Sequence, residues 1–145
     1  MITTYHSNIK TISSSGPAVY KMLSDLNNLE IVGHTSFMAG KFQILSYDEN
    51  TCLLDIEKLG RVGIAIVERK EHKYIRFQSK HLPICAEGEI FIDEVLENQT
   101  QLQLVLAADL TWTLKMMLNR QIEKGVNQLA DFFEEFLNTS LDQTV

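Results

Sequence analysis

From Thr113 to Asn138 one apolar stripe runs without a break: Leu114, Leu118, Ile122, Val126, Leu129, Phe133 and Phe136, spaced by four, four, four, three, four and three residues. That is the period of an α-helix that buries one face. At about 1.5 Å per residue the helix is roughly 40 Å long. Glu123, Asn127, Asp131 and Glu134 occupy another face. The sequence before it has a different period. Lys41–Tyr47, Cys52–Glu57, Arg61–Glu71, Tyr74–Ser79, Ile84–Leu96 and Gln101–Leu110 read as strands. Alternation is clearest in Cys52, Leu54 and Ile56, in Ile75 and Phe77, and in Leu102, Leu104 and Leu106. The breaks DEN, KLG, EHK and ENQ are short and polar, as hairpins require. Strands of this kind bury one face and wet the other. A highly curved antiparallel sheet can bury that face by wrapping the single long helix.

The N-terminal part completes the pattern. Tyr5–Ile12 reads as a first strand, with Tyr5, Ser7 and Ile9 on one face. SSSGP then starts a helix, because proline has no N–H to lose in the first turn. Val19, Leu23, Leu26 and Leu29 form a short stripe, and Ser24-Asp25 offers a second cap, which predicts two short helices ended by Gly33. Helices this short need a surface to rest on. Leu23, Leu26 and Leu29 are expected to lie on the sheet's inner face and close one end of its cavity. The following loop, His34–Lys41, carries Phe37 and Met38, an unusual apolar content for a connection.

The 145 residues predict one domain over residues 1–138 with a polar tail at 139–145. A net charge of −6 disfavours nucleic acid and anionic membranes, which reward basic surfaces. No apolar run reaches membrane-spanning length, and the opening residues lack a signal peptide's apolar core, so a cytoplasmic location is expected. Cys52 and Cys85, in apolar strand-like contexts, read as buried free thiols.

Three segments carry a family resemblance: YHSNIKTISSSGPAVYKMLSDLNNLEIV, GRVGIAIVERKEHKYIRFQS and TWTLKMMLNRQIEKGVNQLADFF. Together they resemble the START-like helix-grip (SRPBCC) superfamily over nearly the whole chain. The superfamily includes polyketide cyclases, the birch pollen allergen group and small bacterial proteins of unassigned function. The stretch from Val19 to Asp25 is similar to its short-helix signature, V-x-x-x-L-S-D. The resemblance implies an α+β helix-grip fold: a curved seven-stranded antiparallel sheet around one long C-terminal helix, with two short helices between strands 1 and 2. It implies a cavity between sheet and helix, and no universal catalytic motif.

Reactive residues do not converge. His6, His34, His72 and His81 are scattered without metal-ligand spacing, so no metal or cofactor is predicted. His72 sits in a charged turn, and His34 is the histidine nearest the expected cavity mouth. Glu87 and Glu89 share a strand face about 7 Å apart, but Ala86, Gly88 and Ile90 read as the inner face, which turns the carboxylates to solvent. Cys85 has no histidine spaced to serve it, and SSSG lacks the lysine of a phosphate loop. Gly60, Gly63 and Gly88 are read as bends or bulges. No catalytic residue is assigned.

The expected ligand-binding residues are Phe37, Met38, Ile64, Ile66, Ile90, Leu104, Leu106, Trp112, Met116, Met117 and Arg120. Leu129, Phe132, Phe133 and Phe136 are bulky enough to fill the space under the sheet, whereas Met116, Met117, Gln121 and Gly125 fill it less completely. Any void should open toward Trp112, with Phe37 and Met38 as a lid. Arg120 and Lys124 could hold an acidic group at its edge. The function expected is binding or transport of a small apolar molecule, lipid-like, isoprenoid or aromatic. The alternatives are a cyclase- or dehydratase-type enzyme using the same cavity, which would need polar groups inside it, and an interaction module whose groove its own side chains fill.

Overall fold

The computed structural model describes residues 2–28, 42–56, 60–80 and 86–142. Eight strands form one antiparallel sheet: β1 (Ile2–His6), β2 (Lys10–Ile12), β3 (Phe42–Tyr47), β4 (Thr51–Ile56), β5 (Gly60–Lys70), β6 (Tyr74–Lys80), β7 (Ala86–Leu96) and β8 (Gln99–Asp109). Their order is β1-β8-β7-β6-β5-β4-β3, with β2 also paired to β8. Between β2 and β3 come helix α1 (Gly16–Leu23) and a 3-10 turn (Leu26–Asn28). After β8 comes helix α2, Trp112–Asp142, which runs past the expected end at Asn138.

The expected first strand is two. Ser7 explains the break: its N–H donates to the Leu104 carbonyl at 2.9 Å, and its hydroxyl accepts the Leu104 N–H at 2.9 Å. A side-chain oxygen thus replaces a ladder carbonyl, and the chain leaves register before β2. Tyr5 and Ser7 stay buried, but Ile9, expected beside them, falls in the break and is exposed.

Local chemistry sets the short helices as predicted. The Ser15 hydroxyl accepts the Ala18 N–H at 3.3 Å, and Pro17 sits in the first turn. The Gly16 N–H donates to the Glu94 carboxylate at 3.1 Å, and a Cβ on Gly16 would lie 3.2 Å from that of Glu94, which favours the smallest residue there. Asp25 accepts the Asn27 N–H at 2.9 Å and starts the 3-10 turn. Val19 and Leu23 are buried and Leu26 is partly buried against the core; Leu29 and Gly33 lie outside the described residues.

Alternation sorts the sheet's faces. Cross-strand partners share a face, so Tyr5, Leu106, Gly88 and Phe77 point inward together, as do Leu104, Ile90 and Ile75. Glu87 and Glu89 point outward, as expected. Register shifts fall between Ile44 and Ser46, Ile66 and Glu68, and Glu94 and Leu96. Among the described residues none is at Gly60, Gly63 or Gly88, so of the expected bends or bulges no bulge falls at these glycines. The shift after Ile66 reverses the alternation and places Arg69 on the face of Ile75. From there its guanidinium donates to the Ser24 carbonyl at 2.9 Å, the Glu49 carbonyl at 3.0 Å and the Asn50 side chain at 2.7 Å, tying α1 to the β3–β4 turn.

The core lies where α1, α2 and the sheet meet, around Ile12, Val19, Ile75, Ile90, Leu102, Leu104, Val126, Ala130, Phe136 and Leu137. The helical stripe is rotated from the expected one. A four-residue step overshoots a full turn by about 40°, so successive steps of four drift around the helix. The line that faces the sheet is Ile122, Val126, Ala130, Phe133 and Leu137. Leu129, expected mid-stripe, is 41% exposed. Toward its C-terminal end α2 also packs on α1, and there Phe132 and Phe136 are buried with their rings stacked 5.7 Å apart.

Candidate functional site: the cleft between sheet and helix

Helix α2 packs on β1, β2 and β8, at one side of the sheet. α1 fills the end near the helix C-terminus. Among the described residues, what remains is the inner face of the other strands toward the start of α2. A band of half-buried apolar side chains crosses it: Ile44, Leu54, Ile64, Phe77 and Leu106. Ile44, Phe77 and Leu106 rest directly on the buried core. The band exists because alternation supplies apolar residues to most of the inner face, while α2 packs on only part of its width.

The expected ligand-binding residues separate into groups. Ile64 and Leu106 belong to the band. Ile66, Ile90 and Leu104 lie beneath it in the packed core. Trp112, Met116 and Met117 are 68%, 67% and 67% exposed at the start of α2. Met117 is nine residues before Val126, and at about 100° per residue it projects from the opposite side of the helix. Arg120 is exposed and also lies off the line that faces the sheet. It borders a shallow polar depression with Asn8, Glu123, Lys124, Asn127, Gln128 and Asp131, on the flank beside β1 and β2. Phe37, Met38, His34, His81 and Cys85 lie outside the described residues.

That flank joins helix to sheet edge. Asn127 accepts the Asn8 N–H at 2.9 Å, and Asn138 accepts the Ser13 N–H at 2.8 Å. The Lys10 ammonium pairs with Asp131 at 2.5 Å, which raises the Lys10 pKa. The face that carries Glu123, Asn127 and Asp131 therefore includes ties to the sheet's margin.

Sequence reasoning missed the polar residues on the buried side of α2. The buried Tyr5 donates its hydroxyl to Asn119 Oδ1 at 2.8 Å, inside the sheet–helix junction. Asn119 and Lys115 continue the line of Ile122 and Val126 toward the helix start. Extending the 3.6-residue line backward from Val126, through residues that are not apolar, could have found both.

The convex face holds a separate charged cluster. Arg76 contacts Glu68 at 2.7 Å and Glu89 at 3.6 Å, and its guanidinium lies 5.5 Å from the centre of the Tyr74 ring. Tyr74 donates to Glu68, which raises the phenol's pKa. Glu87 accepts from Gln78 at 3.0 Å. These carboxylates hold the outer face together and are remote from the cleft. His72, in the β5–β6 turn at φ 64°, is largely exposed and sets its ring edge-on to Tyr20 at 5.5 Å. Among the described residues no three histidine, cysteine or carboxylate side chains gather as a metal site.

Solved structures of similar shape decide the fold. Norcoclaurine synthase from Thalictrum flavum superposes with a TM-score of 0.76 at 10% identity, over 97% of this chain and 87% of that one. The chain has the START-like helix-grip fold. A conserved protein from Geobacillus kaustophilus shares it, with a TM-score of 0.69 at 13% identity over 99% of this chain and 97% of that one. So does a protein from Thermus thermophilus, with a TM-score of 0.64 at 14% identity over 95% of this chain and 99% of that one. The synthase has been solved with dopamine and hydroxybenzaldehyde bound. No protein-family model and no curated protein matches this sequence. In this helix-grip domain no described helix is long and apolar enough to cross a membrane.

Proposed function

We propose that this helix-grip domain binds a small apolar molecule in the cleft between its sheet and α2. The observation that carries the reading is the half-buried band Ile44, Leu54, Ile64, Phe77 and Leu106. It is an apolar floor on the inner face of a sheet that the helix covers on one side only. Burying such a floor under a ligand is favourable by roughly 25 cal/mol per Å² of apolar area removed from water. The mixture of an apolar surface with a few fixed polar groups, here Tyr5 and Asn119, is the usual constitution of a small-molecule site. The molecule is lipid-like, isoprenoid or aromatic, and the domain acts as its carrier or sensor.

The test is a panel of fatty acids, flavonoids and a hydrophobic dye, read by melting temperature and by the emission of Trp112, the sole tryptophan. Several members are expected to raise the melting temperature and shift the emission. Leu106→Trp and Ile64→Trp, which add volume to the floor from two different strands, should each weaken dye binding about tenfold or more. A panel in which nothing binds, or folded variants that take up dye as well as the parent, would overturn the reading.

A further inference from the structure

Resting on the apolar-cleft reading, we propose that the cleft selects apolar molecules ending in a carboxylate, which is seated between Lys115 of α2 and Thr3 of β1.

The line of α2 that faces the sheet is apolar from Ile122 to Leu137 and polar at its first two positions, Lys115 and Asn119. Asn119 is placed by its bond to Tyr5 at 2.8 Å. Contacts further along pair Asn8 with Asn127 and Ser13 with Asn138, so the N-terminal strands and α2 run in the same direction. Two residues back along β1 is about 6.6 Å, and one turn back along α2 is about 6 Å. Thr3 and Lys115 therefore lie level with each other, one step nearer the open end than the Tyr5–Asn119 pair.

Both carry unused polar capacity. Thr3 Oγ1 is shielded from solvent and has no hydrogen-bond partner among the described residues. Lys115 is half-buried, whereas Arg120 and Lys124 on the other flank are exposed. Its backbone N–H joins the helix start at Thr111, and its ammonium forms no ion pair among the described residues. The neighbours of Thr3 across the sheet are Ala108 and then Ala86, both small, so the floor is low there. Along the inner face of β7 and β8 the first carboxylate is Glu94, at the opposite end, and it is occupied by the Gly16 N–H.

One ammonium and one hydroxyl match the two oxygens of a monoanionic carboxylate. They leave a phosphate dianion under-compensated, since Lys115 is the single cation on this line of the helix. The apolar body then extends over Leu106, Phe77 and Ile64. A molecule with a net charge of −6 repels anions in general, so a preference for an acid has to arise locally.

The experiment compares dodecanoic acid with dodecanol by calorimetry at about pH 8, where the acid is ionised. The acid is expected to bind about tenfold more tightly than the alcohol. Lys115→Met should bring the two within about threefold by weakening the acid alone, and Thr3→Val should cost the acid about threefold. Lys124→Met makes the same change in net charge on the far flank and should leave the preference intact. Equal binding of acid and alcohol to the parent, or a preference that survives Lys115→Met or falls equally with Lys124→Met, would overturn the carboxylate site while leaving the apolar cleft standing. Absence of binding by either compound would overturn both.

Discussion

Cys52 shows how one side chain reports its surroundings. It lies on β4 opposite Ile64 and is 7% exposed. Burial, aided by the nearby Asp48 carboxylate, pushes its thiol up to about 11 from 9.0. The folded state therefore holds the thiol proton more tightly than the unfolded chain does. The stability this confers is complete below about pH 9 and is lost as the pH rises toward about 11. In a Cys85→Ser background, urea titrations at about pH 8 and about pH 10 should show a loss on the order of 1 kcal/mol from this group. Cys52→Ala should remove that component. A difference between the two pH values that Cys52→Ala leaves unchanged would place the thiol in water. The position of Cys52 was legible in the sequence because period-two alternation fixes which face a strand residue takes. The role of Ser7 was not, since a hydroxyl standing in for a ladder carbonyl leaves no periodic trace.

For α2, existence and rotation are separate questions. Its existence follows from length and apolar spacing alone. Its rotation depends on what it rests against, and a run of four-residue steps points across several orientations. Burial selects one of them. Leu137, absent from the simple stripe, is fully buried, while Leu129 is 41% exposed. Leu137→Ala should then cost about 2–5 kcal/mol, the range for emptying a packed leucine site. Leu129→Ala should cost about 1 kcal/mol or less. Chemical denaturation of the two variants distinguishes this rotation from one in which Leu129 lies inward, which would reverse their order. The same rotation turned Arg120 and Met117 away from the sheet and set Asn119 and Lys115 on the line that faces it. A reading guided by hydrophobicity favours methionines and passes over polar residues on the buried line. For that reason the inward position of Ile64 and Leu106 was legible in advance and that of the polar residues was not.

At the scale of the molecule, the sheet's two margins are treated differently. At one, the Asn8 and Ser13 N–H groups are occupied by Asn127 and Asn138. At the other lies β3, FQILSY, without a charged residue and with one neighbour among the described strands. Open strand edges invite pairing with other chains. Replacing Asn127 and Asn138 together by alanine should cost about 1–2 kcal/mol and release both donors. Sedimentation velocity should then detect species larger than a dimer, whereas the parent should form none. Larger species in the parent, or their absence in the variant, would show that the asparagines do not protect this margin. The succession of hairpins from β3 to β8 was legible from turn spacing, whereas the return of β1 and β2 to β8 was not. The asparagines were not, because their partners are backbone groups more than a hundred residues away. Their arrangement has a numerical consequence for self-association. A particle with one adhesive side is used up by a single partner, whereas one with two such sides can add neighbours without end. If the two asparagines block their margin as predicted, edge-to-edge assembly through β3 would stop at two copies and could not grow into a filament.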